Sequence, residues 1–268
     1  FASNPLLLNI MLLTYNDRAS VPDKLNDFYE QAYATLFNMH DATKDAYVRD
    51  IRSKLGCEDF KEVFAYFCFK SYFKSDFVFS ESELREYLAK AKEKFSMLNI
   101  DVEDFKDDLV QSVCMLVREG LEYRFTHRSF QEYFAAWYTC KLSDEVQSKL
   151  LKAWLIETPD LFTDSYFNML FNLQSEKFDQ LVLKPGLINL KDLYNEYGFS
   201  SELLLKLFSG VHFGKQDFII DEKIIMRREK NNKVKNISLR VRDKYIITII
   251  SMSLELHKKN DEMSENER

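Results

Sequence analysis

The chain has 268 residues but only six Gly and four Pro, where ordinary usage gives roughly 32 such residues in this length. So few residues that tolerate positive φ or break regular structure exclude turn-rich sandwiches and barrels, and favour long helices joined by short polar loops. At 46% hydrophobic and 30% charged with a net charge of −6, the chain can build sizeable cores, about two domains by length, and disorder is excluded as its general state.

The longest apolar runs, Pro5 to Leu13 and Tyr245 to Leu254, fall short of the roughly 20 residues that a membrane span needs, so no membrane crossing is expected. Cys57, Cys68, Cys114 and Cys140 form no CxxC pair and have no His at metal-ligand spacing. They read as buried thiols of a reducing, cytoplasmic compartment, with no metal site. The chain starts at Phe1 with no Met and no signal-like charged stretch before the apolar run, which reads as a piece of a longer protein.

Asn4-Pro5 supplies a cap and a first-turn proline, and the leucine-rich run after it predicts a helix buried all round. Leu25, Phe28, Tyr29, Ala32, Tyr33, Leu36 and Phe37 recur with helical spacing and predict a second helix. Phe60, Val63, Phe64 and Phe67 mark a third. Ser80-Glu81-Ser82-Glu83 is a capping box between Phe79 and Leu84, opening a fourth through Phe95. Asp101 caps a segment in which Phe105, Leu109, Val113, Leu116 and Val117 share a helical face, with Gly120 as its end.

After Gly120 the period becomes two: Leu121, Tyr123 and Phe125 alternate with polar residues and predict a short strand. A second capping box, Ser129 with Glu132, then opens a helix with Phe130, Tyr133, Phe134, Trp137 and Tyr138 on a broad aromatic face. This order of elements is winged-helix-like. Residues 145–210 read as helical, with Pro159 opening one segment, Lys184-Pro185-Gly186 as a turn and Gly198 and Gly210 as C-caps. Ile237, Leu239 and Val241 alternate with polar residues, and with 218–226 across Asn231-Asn232 they predict a β-hairpin. Residues 245–257 fit helix or strand equally, and the charged tail after Leu256 reads as frayed.

Gly210-Val211-His212-Phe213-Gly214-Lys215-Gln216 is the nearest approach to a phosphate loop. Its glycines are one residue too close, Gln replaces Ser/Thr, and it follows a predicted helix instead of a strand. It reads as an ordinary loop, and the chain alone is not expected to hydrolyse a nucleotide. His127 stands before a predicted helix, where free backbone N–H groups and the helix dipole favour an anion. The bland alternative is a histidine that packs between strand and helix; nucleophilic catalysis is excluded, since no oxyanion loop accompanies it. Residues 222–244 hold nine Lys/Arg against three acids, a local +6 that leaves −12 on the rest. Arg227, Arg228, Arg240 and Arg242 are its candidate polyanion contacts, although such charges also serve as a solvated, edge-protecting face.

Two stretches carry a resemblance. Asn4-Pro5-Leu6-Leu7-Leu8 is similar to the start of the helical domain that follows the nucleotide-binding domain in NACHT-type signal-transducing ATPases. The segment Tyr123-Arg124-Phe125-Thr126-His127-Arg128-Ser129-Phe130-Gln131-Glu132-Tyr133-Phe134-Ala135-Ala136 resembles their winged-helix phenylalanine-x-histidine-x-x-x-glutamine-glutamate motif. Val21-Pro22 and the helix with Phe28-Tyr29-Glu30 lie between them in matching order, so the resemblance covers about residues 1–142. No Gly precedes Asn4, where many relatives have one.

The resemblance implies a mainly α chain: a helical domain at 1–55, a winged-helix domain with a short β element at 56–144, and a short C-terminal sensor domain at 145–268, mostly helical with the β-hairpin. It implies that these domains close over an upstream nucleotide-binding domain holding ADP, or ATP with Mg, in the full-length parent, with Pro5 beside the adenine and His127 on the β-phosphate. No nucleotide is expected on this chain alone, which lacks the phosphate-binding Lys and Mg-binding Asp. A phage-derived or host trigger then releases the lid and the protomers oligomerise, a role in bacterial antiphage defence. The alternative is a winged-helix nucleic-acid-binding module using the basic strip at 223–244, which the acidic whole weakens.

Overall fold

The computed structural model describes residues 5–18, 25–42, 51–157, 165–213, 216–219, 237–241 and 245–253. The chain divides into two compact units, Phe1–Leu142 with Phe162–Ser175, and Ser143–Leu161 with Glu176–Arg268. Both are mainly helical, each with one small antiparallel sheet. Among the described residues no helix is long and apolar enough to cross a membrane.

The first unit runs α1 (Pro5–Arg18), α2 (Leu25–Ala42), α3 (Cys57–Tyr72), β1 (Val78–Ser80), α4 (Glu81–Lys94), α5 (Val102–Asp107), β2 (Leu116–Glu119), β3 (Glu122–Phe125) and α6 (Arg128–Cys140). After α7 (Asp144–Glu157) of the second unit, α8 (Tyr166–Leu173) returns to the first. The sheet order is β1-β3-β2. Helix, strand, two helices and a two-stranded wing, with the first strand beside the last, is the arrangement of a winged helix.

Its core is aromatic. Phe60, Phe64 and Phe67 on α3 are fully buried, where Phe64 meets Phe134 of α6 edge-on at 4.9 Å and Phe67 stacks on Phe125 of β3 at 5.4 Å. Tyr29 of α2 stacks on Tyr133 at 5.3 Å and Tyr33 meets Phe134 at 5.4 Å, seating α2 on the same helix. On α8, Tyr166 stacks on Tyr72 at 4.5 Å, and Thr139 shares a 2.8 Å hydrogen bond with its hydroxyl.

Several local expectations hold. Ser80 Oγ accepts from Glu83 N while Glu83 Oε2 accepts from Ser80 N at 2.8 Å, completing the capping box. Asp101 caps α5 through the N–H groups of Glu103 and Asp104. Others are corrected. Leu8 and Leu12 are exposed, so α1 is not buried all round; Ile10 and Thr14 form its inner face. Leu25, at the start of the α2 pattern, is exposed too. The helix after Asp101 does not reach Gly120: the backbone passes through a π-helical turn (Asp108–Ser112) and reverses at Cys114, φ 54°, into β2. Helix and strand each supplied part of a mixed apolar pattern that read as one helix. Gly120, φ 64°, turns β2 into β3, and Leu121 stands 82% exposed at that turn instead of in the strand. Of the cysteines, all free, only Cys68 is buried, and burial pushes its thiol well up; Cys114 is exposed.

The second unit holds α7, the segment from α9 (Ser175–Phe178), α10 (Lys184–Tyr197), α11 (Ser201–Leu207), β4 (Phe208–Phe213), β5 (Gln216–Ile219), β6 (Ile237–Val241) and a helix over 245–253. Lys184-Pro185-Gly186 is no turn but the first turn of α10, which follows a π-helical turn (Asp179–Leu183) without leaving helical conformation. Gly198, φ 61°, does cap α10, its N–H on Tyr194 O at 2.8 Å. Gly210 lies inside β4, and 208–210 are strand instead of helix. The alternating run at 237–241 is a strand that pairs with β4, and 218–219 belong to β5 on the other side of β4, in the order β5-β4-β6, while residues 220–226 of the expected hairpin lie outside the described residues. Pro159, Asn231-Asn232 and the tail after Leu256 lie outside the described residues.

Gly186 is buried, and a Cβ built there would lie 2.6 Å from Ile249 Cγ1. Gly186→Ala should therefore destabilise by about 1–3 kcal/mol through overpacking, despite the better helix propensity of Ala. Chemical denaturation checks this, and pairing it with Ile249→Ala should cost less than the sum of the two single variants.

Candidate functional site

Strand β3 delivers the chain directly to α6. Thr126 N donates to Met115 O at 3.0 Å and Thr126 Oγ1 to Cys114 O at 2.6 Å, so the residue before His127 is tied to the entry of the wing. His127 then takes an extended conformation, φ −147° and ψ 135°, and is itself the N-cap of α6. Its Nδ1 accepts from Ser129 N at 3.2 Å and lies 2.5 Å from Ser129 Oγ. The expected capping box is thus corrected. Ser129 sits in the first turn instead of at the cap, because the imidazole nitrogen takes the acceptor role that a hydroxyl usually fills.

Glu132 is likewise drawn elsewhere: Oε2 accepts from Ser165 N at 3.1 Å and Oε1 pairs with Arg128 at 3.0 Å. Gln131, fully buried, donates from Nε2 to Ser71 Oγ and Asp76 O, both at 2.9 Å. The two residues therefore anchor α6 to the segments at 71–76 and 165. Arg128 lies over the Phe77 ring at 4.1 Å, which places a cation next to His127 at the helix start. It is the site residue that pattern reading passed over, although it stands inside the motif segment.

His127 is half-buried, and burial holds its imidazole below the ordinary histidine pKa. An acceptor at Nδ1 requires the neutral ring with its proton on Nε2. The first turn of this 13-residue helix carries no acidic residue, so its N–H groups and its dipole make a positive end, beside which Arg128 is paired with Glu132.

A second polar centre lies in the wing. A cleft of about 770 Å³ opens between the start of α4, α5 and the β2–β3 hairpin. There Glu81 accepts from Lys106, from Tyr123 and, at 2.9 Å, from Arg85. Lys106 and Tyr123 hold its carboxyl down to about 2. Lys106 also donates to Glu103 at 2.7 Å and is 7% exposed. Glu103, Asp104, Asp107 and the neighbouring Asp108 make α5 acidic, and α5 holds the place of the groove-reading helix. Such a helix repels phosphates, and its one lysine is already neutralised. Sequence had presented Glu81 only as part of a cap; what makes it a network centre comes from α5 and β3.

Of the other candidate residues, Pro5 is the first residue of α1. Arg240 is in β6, opposite Gly210. Arg227, Arg228 and Arg242 lie outside the described residues. No family model, no curated protein and no solved structure matches the chain.

The imidazole gives a signed pH dependence. Its depressed pKa favours the neutral cap, so its contribution to stability is present above pH about 6.5 and is lost as pH falls through the folded-state value. His127→Asn keeps a cap acceptor that does not titrate. Urea unfolding of both proteins between about pH 7.5 and 5 should show the natural chain losing stability relative to the variant, by about 1 kcal/mol at most, the worth of one cap.

Proposed function

We propose that this chain is the regulatory lid of a NACHT-type signal-transducing ATPase. It closes over ADP bound by an upstream nucleotide-binding domain, and releases it when a trigger is sensed. The observation that carries the reading is the seating of His127: a neutral imidazole at the N-terminus of α6, with Nδ1 engaged by Ser129 and the Nε2 edge unpartnered among the described residues. A neutral Nε2–H at the positive end of a helix, beside Arg128, is a donor suited to a terminal phosphate of a nucleoside diphosphate.

The resemblance at 123–136 supports the assignment, as does the position of that segment across the junction of β3 and α6. In this reading Pro5 lies on the adenine side, the second unit senses a phage-derived or host trigger, and release leads to self-association of the protomers in the bacterial cytoplasm as antiphage defence. Mg and the catalytic lysine belong to the upstream domain, so this chain supplies retention and not hydrolysis. The acidic α5 disfavours nucleic-acid readout by the winged helix.

The test uses the full-length protein with its nucleotide-binding domain. His127→Ala should weaken ADP retention roughly 10- to 100-fold, the worth of a hydrogen bond to a charged group, read as nucleotide content after gel filtration and as raised basal signalling. Unchanged ADP content with unchanged basal signalling would overturn the reading.

A further inference from the structure

We propose that Ser129 is a positioning residue that holds His127 as the neutral Nε2–H donor. The proposal rests on the reading of His127 as a phosphate contact. Two observations meet at one atom. The backbone N–H of Ser129 points at His127 Nδ1 at 3.2 Å, and Ser129 Oγ lies 2.5 Å from the same nitrogen. A proton on Nδ1 would face that N–H, so Nδ1 is the acceptor and the hydroxyl donates to it. Ser129 has one hydroxyl proton, and it is spent there.

Tyr29 of α2 is 2% exposed and packs beside this helix start, edge-on to Phe130 at 5.3 Å and stacked on Tyr133 at 5.3 Å, so the first turn that carries Ser129 is held in place. The charged groups nearest the pair are Arg128 and Glu132 on α6, which pair with each other.

The experiment is ¹⁵N-histidine NMR of this chain, the His127 signal being assigned as the one removed by His127→Gln. The unmodified protein should show Nε2–H with an unprotonated Nδ1; an Nδ1–H tautomer overturns the proposal without any variant. At pH about 6.5, near the ordinary histidine pKa, Ser129→Ala should raise the imidazolium fraction and Ser129→Thr should restore the original spectrum. Unchanged spectra in Ser129→Ala overturn the positioning role. If the tautomer is as expected and His127→Ala leaves ADP content unchanged in the full-length protein, the phosphate reading fails and the positioning role stands.

Discussion

The packing of α6 against α3 is the contact on which the first unit depends. Phe134 wedges against Phe64, Phe125 continues the stack through Phe67, and Tyr29 and Tyr33 close the other side of α6. Aromatic rings bury large areas with few rotatable bonds, so an interface built from them is both strong and geometrically selective. Because β3 runs into α6 with only Thr126 and His127 between, fixing the helix against α3 fixes the position of His127 as well.

Polar groups set the register of that aromatic contact. Gln131 reaches Ser71 and the Asp76 carbonyl, Glu132 reaches the Ser165 N–H, and Glu30 joins the buried Lys61 to Tyr133. A side chain sliding by one helical turn would leave these groups buried without partners, at a cost comparable to losing a large apolar contact. Three residues of the motif segment thus serve placement: Ser129 orients an imidazole, Gln131 and Glu132 hold the helix that carries it.

Where local chemistry decides, reading residues in order worked. Ser80 with Glu83 and Asp101 with its two N–H partners are interactions within four residues of chain, and the alternation at 123–125 and 237–241 follows from the pleat. It failed where distant segments compete. Glu132 was available to cap its own helix, but the Ser165 N–H and Arg128 claimed it. Residues 105–117 have helical spacing of apolar groups, yet the last of them face the sheet, because β3 offers Leu116 and Val117 a ladder. The strand at 237–241 was visible, while its partner β4 was not: Phe208–Phe213 continues directly from a helix and contains a glycine that looked like a helix stop.

For the site, residue type and order were enough to single out His127 at the entrance to a helix, because a polar residue between an alternating run and an aromatic 3.6-residue period has few other places to be. The mainly helical class followed in the same way from the scarcity of Gly and Pro. Which nitrogen of His127 is the acceptor, that Arg128 stands beside it over Phe77, and that Tyr29 from another helix stacks on Tyr133 depended on the folded molecule. Periodicity reports which face of a segment is buried. It carries no information about which distant group will complete a hydrogen bond there, since that is fixed by packing between segments a hundred residues apart.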